Sequence, residues 1–354
     1  MSRGPGLGSS GDLTPARRWG VGLAAAGATL ALIAVALALW AVWSYQGPGP
    51  KAPKGGSTTV ILRHGAGLTE IASALERAHV VRSSPVFMAV AQLTGAAREL
   101  KAGEYAVASR ASMARILDDI RNGRVVRHQL TVPEGFTAEM AAELLSATPL
   151  LSGAAPQAPE GAIEPDTYQY ELGDDRAAVL KRMMDARDQM LATLWSRRQP
   201  GLPFASPEEA LTLASIVEKE TGVAGERPRI AAVFVNRLRS GMRLESDPTV
   251  IYGLSGGRSL GRGLKLSELA TPTPYNTYLV NGLPPTPISN PGRAALAAVL
   301  DPPKSTELYF VADGSGGHVF ASTFEAHRRN VAAWRAVEKS RAAVGLAGPV
   351  VAAK

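Results

Sequence analysis

The run LASIVEKETG, Leu213–Gly222, places two glutamates one residue apart in a segment whose other positions are mostly apolar. Just upstream, Ser206-Pro207-Glu208-Glu209 supplies an N-cap serine, a proline at the first helical position and a glutamate at the third, while Gly222 supplies a stop. The pattern predicts a helix of roughly four turns, with Glu218 and Glu220 near its C-terminal end. On a helical wheel at about 100° per residue, Glu218 falls beside Leu211 and Ala214, and Glu220 between Leu213 and Ile216. Both sit at edges of the apolar face, whereas Lys219 shares the polar side with Thr212 and Ser215. Burial raises a carboxyl pKa and lets a glutamate donate a proton near neutrality, so either carboxylate is a candidate acid. Periodicity does not choose between them, and each could equally form an ion pair with Lys219, Arg227, Arg229 or Arg237.

That helix belongs to a larger α+β unit running from Pro133 onward. FTAEMAAELL, RAAVLKRMMDARDQMLATLW and PRIAAVFVNRLR carry helical periodicity, the last ending in a turn at Ser240-Gly241. A polar loop, Glu245-Ser-Asp-Pro248, then precedes a short apolar segment. TPTPYNTYLVNGLPPTPISNPG, Thr271–Gly292, is a long proline- and asparagine-rich loop, costly to order and therefore a functional candidate. RAALAAVL reads as a helix, ELYFVAD and HVFA as a hairpin across GSGG, and a charged helix follows from about Phe324 to Ala342. Upstream, Thr58 to about Leu130 alternates short strands and helices. They are TTVILR, GLTEIASALERAHVV with Thr69 as N-cap, SPVFMAVAQLTG, GEYAV, SMARILDDIRNGR closed by Gly123, and the strand VVRHQLTVPEG. This is a small α/β module, suited either to binding or to spacing.

Ahead of it, WGVGLAAAGATLALIAVALALWAVWSY, Trp19–Tyr45, carries no charge from Gly20 to Trp43, enough for a helix rising ~1.5 Å per residue to cross a hydrocarbon core of ~30 Å. Arg17 and Arg18 precede it, and Trp40, Trp43 and Tyr45 stand at its far end. The expectation is one transmembrane anchor over 19–45 with a cytoplasmic tail over 1–18, a Pro/Gly/Lys linker over 46–57 and everything later outside the cytoplasm. Lys51 and Lys54 on the far side weaken the charge asymmetry, and a cleavable signal peptide is the competing reading.

Composition narrows the chemistry. The chain has 354 residues, 45% of them hydrophobic, which is ample for packed cores. Its formal net charge of +7 suits an anionic partner without selecting nucleic acid, lipid or an acidic polymer. With no cysteine, thiol catalysis and disulfides are excluded, and the five histidines at 64, 79, 128, 318 and 327 show no metal-ligand spacing. No metal and no cofactor are expected: no P-loop or dinucleotide fingerprint is present. His318, next to Gly316-Gly317, reads as a strand residue, and without a GxSxG signal no serine triad is indicated. Aromatic residues, 6% of the chain, do not interleave with the arginines, which argues against nucleic acid.

LASIVEKET, NRL, GMRLESDPTVIYGL, TPYNTY, GLPPTPISNPG and LYFVADGSGGHVFASTFEAH occur in series, and together they resemble the YceG-like family of endolytic murein transglycosylases. The likeness covers Pro133 to about Trp334. EGAIEPDTY, Glu160 to Tyr168, departs from the family's EGFLFPDTY by losing its aromatic. The anchor and linker also match the family's layout, which implies a LysM-like module over 58–130, a catalytic domain over 131–335 and the end of the last helix with a tail over 336–354. The resemblance implies that Glu218, the first glutamate of E-K-E-T, is the catalytic acid of a lytic transglycosylase at the inner membrane, with its catalytic domain periplasmic. There it protonates the oxygen between N-acetylmuramic acid and N-acetylglucosamine in peptidoglycan, and the sugar's own 6-hydroxyl closes the ring to leave a 1,6-anhydro end. The same carboxylate then takes that hydroxyl's proton. An apolar helix position would keep Glu218 protonated at rest. Tyr275, Asn276 and Tyr278 are expected to line the glycan groove, Asn276 bonding an acetamido group. Glu220 and Asp247 are expected to orient polar groups or form ion pairs. Peptidoglycan synthases are the implied partners. The competing classes are a membrane-anchored glycan-binding scaffold and a water-using muramidase.

Overall fold

The structure, a computed structural model, describes residues 15–53 and 55–343. Most of the tail expected over 1–18, the side chains of Arg17 and Arg18, Lys54, and the end of the tail expected over 336–354 lie outside the described residues. A helix of 32 residues, α1 (Pro15–Gln46), carries the apolar segment, and its part Ala26–Gln46 is long and apolar enough to cross a membrane. Leu30 (66%) and Leu32 (70%) are largely exposed on it, so protein does not cover this surface. A helix apolar on all sides and uncovered by protein is suited to lipid as its solvent.

The chain divides after Val126 into two compact units, and α1 belongs to the first. In the first, β1 (Ser57–Leu62), α2 (Leu68–Arg77), α3 (Ser84–Leu93), β2 (Gly103–Ala108) and α4 (Met113–Asn122) follow one another. β1 and β2 are antiparallel, with Val60 opposite Tyr105. Their inward side chains meet Leu75, Phe87, Ile116 and Ile120 in one core. Gly67, not Thr69, stands at the N-cap of α2. α4 has both its signals in place: the Ser112 hydroxyl accepts from the Arg115 amide, and Gly123 closes the helix at φ 66°, where a Cβ is costly.

The second unit contains β3 (His128–Thr131), α5 (Ala138–Ala147), β4 (Thr167–Tyr170), α6 (Arg176–Ser196), α7 (Pro207–Glu220), α8 (Arg227–Arg239), α9 (Asp247–Ser255), α10 (Leu266–Leu269), α11 (Arg293–Leu300), β5 (Tyr309–Ala312), β6 (His318–Ala321) and α12 (Phe324–Ala343). The strand that its sequence position joined to the small module is β3, and it pairs with β4 inside this unit. A partner so far along the chain leaves no local signal. Among the described residues each sheet has two strands, so packed helices form the core of an α+β fold.

The centre of that core is α7, packed by α6, α8 and α11. Ser206 caps it by accepting from the Glu209 amide, and the helix stops at Glu220, with Thr221 already extended. Every residue from Ala210 to Glu218 is buried. The side expected to be polar is covered too: Thr212 is 5% and Ser215 0% exposed. The cover over Ser215 is the end of the long loop before α11, where Ile288 donates its amide to Ser215 Oγ and Ser289 Oγ reaches Ser215 O. A polar helical face therefore packs against loop backbone, whose amides need acceptors.

Candidate active site

Glu218 sits on the last turn of α7 with both carboxylate oxygens engaged. Oε1 accepts from Arg227 Nη2 at 2.9 Å, and Oε2 accepts from the Gly292 amide at 2.9 Å. Three different parts of the unit meet here, since Arg227 opens α8 and Gly292 is the N-cap of α11. The side chain is only 4% exposed. Its roof is Glu134, on the Pro-Glu-Gly turn after β3, which takes Arg227 Nη2 at 3.1 Å. A Cβ at Gly292 would fall 1.9 Å from Glu134 Oε1, so the roof occupies the space that any side chain at 292 would need. Lys219 reaches past the same turn to Gly135 O at 3.2 Å.

The carboxyl that the helical wheel set among apolar neighbours also has two polar donors, one in the next helix and one far along the chain. Of the basic groups considered as partners for Glu218, it is Arg227 that pairs. Arg229 engages Glu307, and buried Arg237 donates to Leu308 O, Arg243 O, Leu244 O and Glu245.

Glu220, Asp247 and Tyr278 come together beside this site. Glu220 accepts from the Ser246 hydroxyl, and the Tyr278 hydroxyl donates to Asp247 Oδ1 at 2.6 Å. Burial, and then the carboxylate of Asp247, push the Tyr278 phenol up from its ordinary value. The network ties the end of α7 to the start of α9 and to the long loop. Tyr275 lies elsewhere: its ring meets Tyr252 edge-on at 4.8 Å and its hydroxyl pairs with Thr286 Oγ1 at 2.8 Å.

Asn276 is not placed to bind an acetamido group. It is 0% exposed, its Nδ2 donates to Leu269 O and Thr271 O, and its Oδ1 accepts from the Tyr278 amide. The amide is spent inside the loop it staples, a use for asparagine that sequence alone cannot tell from ligand binding. His318 lies in β6, as expected, with Nδ1 on Glu226 Oε2 at 2.7 Å.

Three residues went unread in the sequence. Glu134 and Gly292 were quoted only inside longer motifs, and Glu160 only as the start of one. Glu160 accepts from the Ala138 amide at 2.9 Å and from the Tyr252 hydroxyl at 3.1 Å, and burial outweighs both bonds to push its carboxyl up.

An α+β unit built around a buried helix that ends in a roofed, doubly held glutamate, on a chain with one membrane-length helix among its described residues, defines the class. The chain belongs to the YceG-like family, whose model matches residues 60–333. It is 30% identical over 323 residues to a protein of Streptococcus pneumoniae named endolytic murein transglycosylase, covering 77% of this chain and 58% of that one. A Bacillus subtilis protein of the same name is 36% identical over 171 residues, 48% of this chain and 46% of the relative. The chain thus spans about half the length of the curated relatives it matches. A solved yceG-like protein of Listeria monocytogenes is 28% identical with a TM-score of 0.50, covering 78% of this chain and 99% of the other.

Proposed function

We propose that this chain is a membrane-anchored endolytic murein transglycosylase that cuts peptidoglycan glycan strands with Glu218 as its acid and base. The observation that carries the reading is the placement of Glu218 at the end of α7, between Arg227 and the Gly292 amide, in a chain whose relatives bear that activity in their names. An acid of this kind gives its proton to the glycosidic oxygen, becomes a carboxylate that the two donors stabilise, and then accepts the proton of the sugar's 6-hydroxyl. The intramolecular hydroxyl replaces water and gains the advantage of proximity. Glu134 and Arg227 must swing aside for a glycan to reach the carboxyl.

Around that acid, Glu220, Asp247 and Tyr278 are proposed to meet the sugars, with Tyr275 farther along the loop. The strand-helix-helix-strand part of the first unit, whose strands are antiparallel, supports a LysM-like glycan-binding role. α1 is proposed as a single-pass anchor in the inner membrane with its N-terminus cytoplasmic and both units periplasmic, within reach of peptidoglycan synthases.

One observation favours a second reading. Glu134 shares a guanidinium nitrogen with Glu218, and two carboxylates that close are what a water-using muramidase employs. The test is mass spectrometry of sacculi digested by the full-length protein in detergent, and by Glu218→Gln. 1,6-Anhydro ends that disappear with Glu218→Gln bear out the transglycosylase. Reducing ends turn the assignment to the hydrolase, and binding without product turns it to a scaffold.

A further inference from the structure

Arg227 donates from one nitrogen, Nη2, to two carboxylates at once, Glu218 Oε1 at 2.9 Å and Glu134 Oε2 at 3.1 Å. Its Nε is buried without a hydrogen-bond partner. A guanidinium makes its strongest pairs as a fork, two N–H groups meeting both oxygens of one carboxylate. Neither glutamate receives that fork here. The guanidinium is shared between the two carboxylates. The two partners are unequal: the Glu218 side chain is 4% exposed and the Glu134 side chain 44%.

We propose that Arg227 is a positioning residue exchanged between Glu218 and Glu134, and that its transfer to Glu134 is what allows Glu218 to take up the proton it must donate. The proposal rests on the reading of Glu218 as the acid. While Glu218 is ionised, Arg227 and the Gly292 amide hold it closed. When a proton arrives, the charge that retained Arg227 on Glu218 is gone, and Glu134 keeps the guanidinium. Because Glu134 is the roof and faces solvent, the same movement uncovers the carboxyl. Once the proton passes to the glycosidic oxygen, the new carboxylate recovers Arg227, and the proton of the sugar hydroxyl releases it again.

Other charges near Glu218 are committed elsewhere. Lys219, on α7, is bonded to Gly135 O, and Glu220 holds the Ser246 hydroxyl. Glu226, before α8, holds His318, and Arg293 on α11 pairs with Glu164 at 3.0 Å. Glu134 is therefore the residue through which the state of Arg227 can be set without touching Glu218.

The test uses the full-length protein in detergent, with turnover of peptidoglycan followed across a pH series for the wild type, Glu134→Gln, Arg227→Gln and Glu218→Gln. The carboxyl 13C signal of Glu218, assigned by its absence from Glu218→Gln, is recorded in parallel. Glu134→Gln removes the competing charge, so Arg227 stays on Glu218, and the loss of activity on the alkaline side is expected to move to lower pH. Arg227→Gln is expected to move it to higher pH while turnover at the optimum falls about tenfold, the worth of one charge-assisted hydrogen bond. The 13C titration should move in the same two directions. An inactive Glu218→Gln together with unmoved limbs and unmoved 13C titrations would overturn the exchange alone, leaving Arg227 a structural cation. Retained anhydro product in Glu218→Gln would remove the acid assignment, and the proposal with it. Should Arg227→Gln fold poorly, Glu134→Gln, at a half-exposed position, still decides the point.

Discussion

Ile288 donates its backbone amide to the Ser215 hydroxyl at 3.0 Å, and one helical turn further along α7 Gly292 donates its own amide to Glu218. The last stretch of the long loop is thus laid along α7 and secured at both ends of that turn. Ser289 adds a bond to Ser215 O, and Asn290, fully buried, fixes the loop's other side by accepting from the Ile163 amide and donating to Phe136 O. An irregular segment held by buried hydrogen bonds can position an amide as firmly as a helix does.

The first prediction follows from that register. Ser215→Ala leaves the Ile288 amide buried without its acceptor, at a cost of about 1–3 kcal/mol. The urea midpoint of the full-length protein should fall with its slope unchanged, and product formation should drop further than stability alone explains, because the Gly292 amide is displaced from Glu218. A variant with wild-type midpoint and turnover would show that the loop does not depend on this bond.

Asn276 separates a staple from a sugar contact. Its side chain is spent on Leu269 O, Thr271 O and the Tyr278 amide. Asn276→Ala should therefore cost about 1–3 kcal/mol of stability and reduce kcat through the loosened loop, with little change in KM. A raised KM at unchanged stability would instead return Asn276 to the glycan groove.

Buried Arg237 gives the third prediction. It holds three carbonyls and Glu245, the latter at φ 52°, a left-handed conformation that a residue with a Cβ adopts only under constraint. Lysine keeps the charge but lacks the planar fork. Arg237→Lys should destabilise by about 1–3 kcal/mol for each acceptor left buried and unpaired. It should also raise proteolytic cleavage between α8 and α9. Equal resistance in the two proteins would deny Arg237 that role.

Several local signals in the sequence carried over, though not the cap expected at Thr69. The cap at Ser206, the glycine stop at Gly123, the β5–β6 hairpin and the apolar run of α1 each depend on neighbours a few residues away. What escaped was set at long range. Ser215 read only as part of the helix's polar side because its cover lies 73 residues later, and β3 looked like part of the small module because its partner follows a whole helix. Glu218 stood out through its place in the E-K-E-T motif, and Arg227 was among the partners the local sequence offered it. The wheel could not show the Gly292 amide, which comes from the N-cap of α11.

Glu160 supplies a pH prediction with a definite sign. Burial pushes its carboxyl above the ordinary value, against the Ala138 amide and the Tyr252 hydroxyl, which pull it down. Native protein therefore binds this proton more tightly than the unfolded chain. The contribution of Glu160 to stability is complete below the unfolded carboxyl value and is lost as pH rises through the higher native one. Tyr252, whose phenol is raised by its own burial and then by Glu160, stays protonated throughout that window. Glu160→Gln keeps the bond from Ala138 and cannot ionise. Its stability relative to wild type should accordingly improve as pH rises across the window, read as diverging urea midpoints. Parallel midpoint curves would mean that Glu160 binds its proton equally well folded and unfolded, and that the Tyr252 hydroxyl and Ala138 amide fully offset its burial.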